Sequence, residues 1–195
     1  MFNLTEELMK YRPFDDKEKR DVEITLSFLK KNNNCFDRSN LKGHVTAGAF
    51  IADKKGNILL NHHKKSNMWF QFGGHCDGES DCLNVAKREV LEETGLEDFT
   101  ITSNSIFDVG IAHIPDNAKR SEPEHLHYDI NFLFIVDAHN YVISNESLDI
   151  KWVTIDEALK LVNKDDYSML RMIKKYKYLL DKKILSSCDE LNWQV

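Results

Sequence analysis

No stretch of this sequence approaches the ~18 consecutive apolar residues of a membrane-spanning helix, which argues against a membrane partner. The opening Met-Phe-Asn-Leu-Thr-Glu-Glu-Leu-Met-Lys carries acids where a secretory signal carries base, so the expected location is the cytoplasm. Cysteine is sparse. Cys35, Cys76, Cys82 and Cys188 lack the density of a disulfide framework and are read as free thiols. Basic charge is in deficit, with 26 Lys and Arg against 32 Asp and Glu and a net charge of −6. Neither a nucleic-acid polymer nor an anionic membrane surface is drawn to such a chain. A small phosphorylated substrate remains compatible if cations screen its site. Repeats and low-complexity segments are missing too.

What is present is an ordinary globular composition, 42% hydrophobic and 30% charged over 195 residues, enough for one domain with extensions. Residues 15–31 read as a helix with Val22, Leu26 and Leu29 on its apolar stripe, and a shorter helix near Leu4 and Leu8 stops before Pro13. Residues 1–40 are therefore expected to be an N-terminal helical extension that offers a surface for homodimerisation. The main domain is expected over 41–195. There, His44–Ala52 and Ile58–His63 read as a hairpin around the turn Asp53-Lys54-Lys55-Gly56-Asn57. Further strand patterns lie at Thr100–Ile114, His127–Asp137 and Ile150–Val153, the second buried on both faces. Thr154-Ile155-Asp156-Glu157 has capping-box spacing for a helix through Val162, and Asp166–Leu180 closes the chain as a helix. Strands on both sides of a central helix suggest an α/β fold with a mixed sheet between helices.

The central helix carries the chemistry. Glu89, Glu92 and Glu93 stand at i, i+3 and i+4 behind the pair Gly73-Gly74, so their carboxylates rise as neighbours. Like charges so close repel, and a hard dication such as Mg²⁺ or Mn²⁺, which prefers oxygen ligands, turns that repulsion into attraction. The plain alternative is a solvated acidic face balanced by Lys87 and Arg88. Leu83, Ala86, Val90 and Thr94 share another face, so one side of the helix can be buried while the acids stay accessible.

The run Arg88-Glu-Val-Leu-Glu-Glu-Thr-Gly-Leu96 resembles the second half of the Nudix box, G-x5-E-x7-R-E-U-x-E-E-x-G-U, with U a bulky aliphatic. Counting back from Arg88, Gly74 falls on the opening glycine, and Val90 and Leu96 fill the U positions. The first box glutamate is replaced by Ser80, with Glu79 one place early; counting from Gly73 restores G-x5-E but lengthens the next spacing to eight. Ser80 is read as the helix N-cap. Looser likeness runs through His44-Val-Thr-Ala, His62-His63-Lys64-Lys65, Trp69-Phe70-Gln71, Asp149-Ile-Lys-Trp-Val and Asp156-Glu-Ala.

The resemblance implies an α/β/α sandwich and a metal-dependent hydrolase that cleaves a diphosphate linkage in a nucleoside diphosphate-X substrate, a pyrophosphatase in the broad sense. It implies Mg²⁺ or Mn²⁺ held by Glu89, Glu92, Glu93 and a carbonyl at Gly73, with Arg88 orienting a glutamate. Such cations neutralise diphosphate oxygens and activate water. Glu89 is either the base for that water or a shared ligand. Glu79, Asp137 and Glu146 are further candidate metal-site acids. His63, Lys65 and His127 are candidate substrate contacts, with His62, Lys64 and His125 beside them, and Trp69, Tyr128 and Phe132 could stack a base or simply pack in the core. A zinc site at His75-Cys76 and Cys82 is disfavoured because Cys-x5-Cys exceeds the usual x2–4 spacing. Two other readings stand against the hydrolase. One is a Nudix-fold nucleotide-binding module or sensor without turnover; the other is an isomerase of the isopentenyl-diphosphate type, which would need a working thiol at Cys76.

Overall fold

The computed structural model describes residues 2–101, 105–117, 123–137 and 140–185. Its eight strands form one mixed sheet, strongly divided along its edges. The centre is a parallel pair, β1 (Gly43–Ala52) and β7 (His125–Ile135), in register over the whole of β1 from Gly43 opposite Leu126 to Ala52 opposite Ile135. Every residue of β1 is buried, as expected of a parallel strand covered on both faces.

The other edge of β1 is shared. Its middle, Thr46 to Ala49, pairs antiparallel with β4 (Phe72–His75) and its end with β2 (Asn57–His63). β2 in turn carries β3 (Met68–Phe70) and β8 (Ser147–Thr154), while β5 (Thr100–Ile101) and β6 (Asp108–Ile114) share the outer edge of β7. The expected run Thr100–Ile114 is thus two strands separated by a break, and residues 102–104 within it lie outside the described part, as does Cys188.

Because side chains alternate across a strand, β1 and β7 feed two cores. Val45, Ala47, Ala49, Ile51, Ile130, Phe132 and Phe134 face α3 (Cys82–Thr94), whose buried stripe is Cys82, Leu83, Val85, Ala86, Val90 and Thr94. Phe50, Ala52, Leu133 and Ile135 face α4 (Ile155–Leu161) and α5 (Tyr167–Lys182), which contribute Ala158, Met169, Met172, Ile173, Tyr176 and Leu179. The expected capping box at Thr154 and Glu157 is formed in full.

At the N-terminus, α1 (Leu4–Lys10) and α2 (Asp16–Lys31) add Leu4, Leu8, Val22 and Phe28 to the first core. Phe28 stacks on Tyr128 with centroids 4.0 Å apart, and Phe2 meets Phe132 edge-on at 5.6 Å. Two of the three aromatics considered for base stacking are therefore packing residues. Glu18 of α2 is fully buried and accepts from the Tyr11 hydroxyl at 2.6 Å, the Phe14 amide at 2.6 Å, the Val109 amide at 3.0 Å and the Lys175 ammonium at 2.5 Å. Lys175 also donates to Asp108 at 3.0 Å, and Arg171 grips Asp108 with Nε at 2.7 Å and a terminal nitrogen at 2.6 Å. This ion cluster ties α2, β6 and α5 together.

Candidate functional site

The glycine pair does not form a turn. It is part of β4, with Gly73 opposite Gly48 and Gly74 opposite Ala47 on β1, and the chain then bends through Asp77 and Gly78, both at positive φ. The N-cap of α3 is Asp81 and not Ser80: the Asp81 carboxylate accepts from the Asn84 amide at 3.0 Å, the reach that an N-cap acceptor needs. At the other end Gly95 caps the helix at φ 67°, a left-handed conformation suited to glycine, where a Cβ would also meet Val142 at 2.9 Å.

α3 thereby holds its carboxylates against β4. The space beside Gly74 is filled by Glu89, and a Cβ built on Gly74 would lie 2.7–2.8 Å from that carboxylate. Glu93 is fixed by two neutral donors, the Gly73 amide at 2.9 Å and the Asn61 side-chain amide at 2.8 Å. Glu89 and Glu93 are both partly buried, whereas Glu92 is turned outward, its side chain 61% exposed and 3.8 Å from Arg88. The three glutamates are neighbours, yet only two share the inner face.

Glu79, out of step in the linear pattern, is brought back by the bend at Asp77 and Gly78. It accepts from Arg88 at 3.1 Å and from Asn84 at 2.6 Å. Arg88 also donates to the His75 carbonyl at 3.3 Å and leans on Glu89 at 3.4 Å. Arg88 thus links the strand carrying the glycines to two acids of the box.

Of the acids outside the box, Glu146 acts electrostatically on both Glu89 and Glu93 and lies 3.9 Å from Lys65. Asp137 pairs instead with Lys54 at 3.5 Å and is 80% exposed at the β1–β2 turn. Burial, reinforced by Glu92 and Glu146 against the pull of Arg88, raises Glu89 above the usual carboxylate range. Burial also pushes Glu93 up to about 7; Glu89 and Glu146 add to it, while the Gly73 and Asn61 donors oppose it.

This donor set fits a hard dication. Desolvated carboxylates repel one another here, and the Asn61 carbonyl oxygen beside them is buried without a hydrogen-bond partner. A cation with a preference for oxygen relieves both conditions. Asn61 was not among the residues expected from sequence, although a buried amide following Ile58-Leu59-Leu60 in a strand is a signal of its kind.

The remaining candidates separate. His63 ends β2 with its Nδ1 3.2 Å from the Ser66 hydroxyl, and Lys65 lies in the exposed turn beyond. Trp69 stacks on His62 at 4.7 Å with Lys151 5.4 Å from its ring. His127 stands with His44, His75 and His125, and burial together with these imidazoles pushes it down to about 3. Cys76 is 1% exposed and packs in the first core with Cys82 and Cys35. A groove of about 340 Å³ is lined by Phe70, Gln71, Ile111, Asp129, Asp166 and Tyr167 among others. Asp129, partly buried in its lining and bonded to the Thr46 hydroxyl, is pushed up to about 6 by burial.

A mixed sheet between helices, with a glycine-bearing strand laid against a glutamate-bearing helix, defines an α/β/α sandwich of the Nudix kind. A family model described as the NUDIX domain matches residues 42–173, and the chain belongs to that family. Among solved structures it is similar to an Ap4A hydrolase from C. elegans, with 20% identity and a TM-score of 0.56 over 71% of this chain and 98% of the other. It is also similar to the dihydroneopterin triphosphate pyrophosphohydrolase of E. coli (15%, TM-score 0.56, 68% and 93%) and a NUDIX hydrolase from Clostridium perfringens (21%, TM-score 0.52, 72% and 97%). A comparison with curated proteins finds no match. None of the described helices is long and apolar enough to cross a membrane.

Proposed function

We propose that the protein is a Mg²⁺- or Mn²⁺-dependent pyrophosphohydrolase acting on a nucleoside diphosphate-X substrate. The observation that carries this reading is the pair Glu89 and Glu93, partly buried against Gly73 and Gly74, with Glu93 acted on by Glu89, by Glu146 and by two neutral donors. Two of the similar structures are named for substrates that contain phosphoanhydrides, Ap4A and dihydroneopterin triphosphate, which supports the bond type.

Glu89, Glu93 and the Gly73 carbonyl would hold the dications from the inner face, with Glu92 completing the set from the solvent side. When bound, these neutralise anhydride oxygens and lower the pKa of water. Arg88 is a positioning residue that keeps Glu79 and Glu89 in place. Glu89, already raised by burial, takes the proton from the attacking water, and Glu146 adds negative charge at the rim. Lys65 and His63, at the mouth formed by the β2–β3 turn, meet substrate phosphates, and the groove beside Gln71 receives the organic part. An isomerase mechanism would lack its thiol at the carboxylates, since Cys76 is a core residue. A binding module without turnover has no need of a partly buried, cation-seeking pair.

The test is a panel of nucleoside triphosphates, nucleotide sugars, ADP-ribose and dinucleoside polyphosphates with Mg²⁺ or Mn²⁺, followed by phosphorus NMR. Cleavage of at least one anhydride is expected; binding without cleavage across the panel would favour the sensor. Gly74→Ala should fold, because the atom its methyl meets is the far end of the Glu89 side chain. An ångström of misplacement costs up to about 10²-fold, so a carboxylate that can retreat should lose roughly tenfold in kcat with little change in melting temperature. Undiminished kcat would remove Glu89 from the reaction.

The raised Glu93 also sets a pH dependence. In metal-free protein its folded pKa of about 7 lies above the ordinary 4.5, so the native state holds the extra proton, and stability falls as pH rises from about 4.5 to 7. Dications compete with that proton, so their stabilising effect grows over the same window. Melting curves with a chelator and with Mn²⁺ at pH 5–8 should diverge as pH rises, and Glu93→Gln should remove most of the divergence. Parallel curves would show that Glu93 does not bind the ion.

A further inference from the structure

We propose that His44, His125 and His127 form a second metal site, selective for a zinc-class transition-metal dication and separate from the carboxylates. The register of the sheet assembles it. His44 and His127 are direct partners across β1 and β7, and His125 precedes His127 by two residues on the same face of β7. One ring nitrogen from each of the three lies within 4.8 Å of the others. His75, at the end of β4 opposite Thr46, stands beside them, its ring centroid 5.0 Å from that of His44 and 5.1 Å from that of His127.

The state of His44 points to a ligand. It is 3% exposed, and while the Asn40 carbonyl can accept from one ring nitrogen, the other is buried without a hydrogen bond. Buried polar atoms are nearly always paired, so the orphaned nitrogen calls for an explanation. A metal ion coordinated by that nitrogen supplies it, with the other held by the Asn40 carbonyl.

His125 is already arranged as a ligand. Its Nδ1 lies 2.7 Å from the Pro123 carbonyl, which can only accept, so Nδ1 carries the proton and the neutral ring offers a bare lone pair at Nε2. Metal-binding histidines characteristically donate their other N–H to a carbonyl or carboxylate in this way. That Nε2 is 3.1 Å from Nε2 of His127. In a tetrahedral zinc site with Zn–N bonds of about 2.0–2.1 Å, ligand nitrogens are about 3.3–3.4 Å apart. The two rings share a hydrogen bond at a distance within a few tenths of an ångström of coordination spacing, and an ion would take the place of the bridging proton.

Ligand type separates this site from the acidic one. Neutral imidazoles suit zinc, cobalt, nickel or copper, whereas Mg²⁺ prefers carboxylate, carbonyl and water. Three histidines leave one tetrahedral position open. His127 and His75 are only partly buried, so entry is from their side.

The test uses the full-length protein stripped of metal and titrated with Co²⁺, a spectroscopic stand-in for zinc. One equivalent should bind with visible d–d bands of nitrogen and oxygen ligation, no thiolate charge-transfer band, and displacement by Zn²⁺ but not by excess Mg²⁺. His125→Gln and His127→Gln, checked for folding by circular dichroism, should each weaken binding by at least about a hundredfold. Glu93→Gln should leave the bands intact. No stoichiometric binding by the wild-type protein, a thiolate band from the cysteines, or bands that vanish in Glu93→Gln would each overturn the proposal. The wild-type spectrum decides even if a histidine variant fails to fold.

Discussion

If the proposed activity holds, Glu93→Gln is expected to lower kcat by more than about a hundredfold on whichever anhydride proves to be cleaved, the scale seen when a preorganised electrostatic group is removed from a catalytic site. Glutamine keeps the shape and can still accept from the Gly73 amide, so the strand-to-helix contact should persist while the charge is lost. Two readouts separate the causes. Mn²⁺ affinity, followed by electron paramagnetic resonance, should fall with kcat if Glu93 holds the ion. The melting temperature of the metal-free protein near neutral pH should not fall and should rise slightly, because a desolvated charge has been removed. Turnover equal to that of the wild type would remove the basis for the hydrolase mechanism.

The reason this site could be read in the sequence is local. Glu89 and Glu93 are one helical turn apart, Gly74 is a fixed distance upstream, and the helix period alone sets which side each acid takes. Features that depend on distant strands were not legible. Nothing in the spacing of His44 and His127 reveals that they face each other; that follows from the parallel register of β1 and β7. Glu79 stands one place early in the linear pattern, yet the bend at Asp77 and Gly78 returns it to Arg88. Ser80 and Asp81 are both good N-caps, and where α3 begins decided between them. The sequence did not show that the glycine pair belongs to a strand, where it permits close approach to Gly48 and to Glu89. On α2, the apolar stripe of Val22, Leu26 and Leu29 was visible. Glu18 was not recognisable as a core residue, because its partner Lys175 is 157 positions away.

That partner supplies the largest expected effect on stability. Glu18, Asp108 and Lys175 are fully buried, and Arg171 is 3% exposed, so two acids and two bases balance inside the protein. Burial alone would raise Asp108, but Lys175 and Arg171 together outweigh it and hold the carboxyl below its usual range. Lys175→Met keeps the length of the side chain and removes one cation, leaving an acid in excess. Removing one partner of a buried pair typically costs about 3–5 kcal/mol, and for a chain of this size each kcal/mol is worth roughly 2–4 °C in melting temperature. A fall of about 6–20 °C is therefore expected, read by thermal or urea unfolding. Adding Glu18→Leu to Lys175→Met should recover part of the loss, since the surplus charge goes with it; the pair are non-additive because they touch. The carboxylates of α3 are not part of this cluster, so kcat measured well below the transition should stay near the wild-type value. A loss smaller than about 1 kcal/mol would mean that water reaches the cluster, and that α2 is held to α5 by apolar packing rather than by these charges.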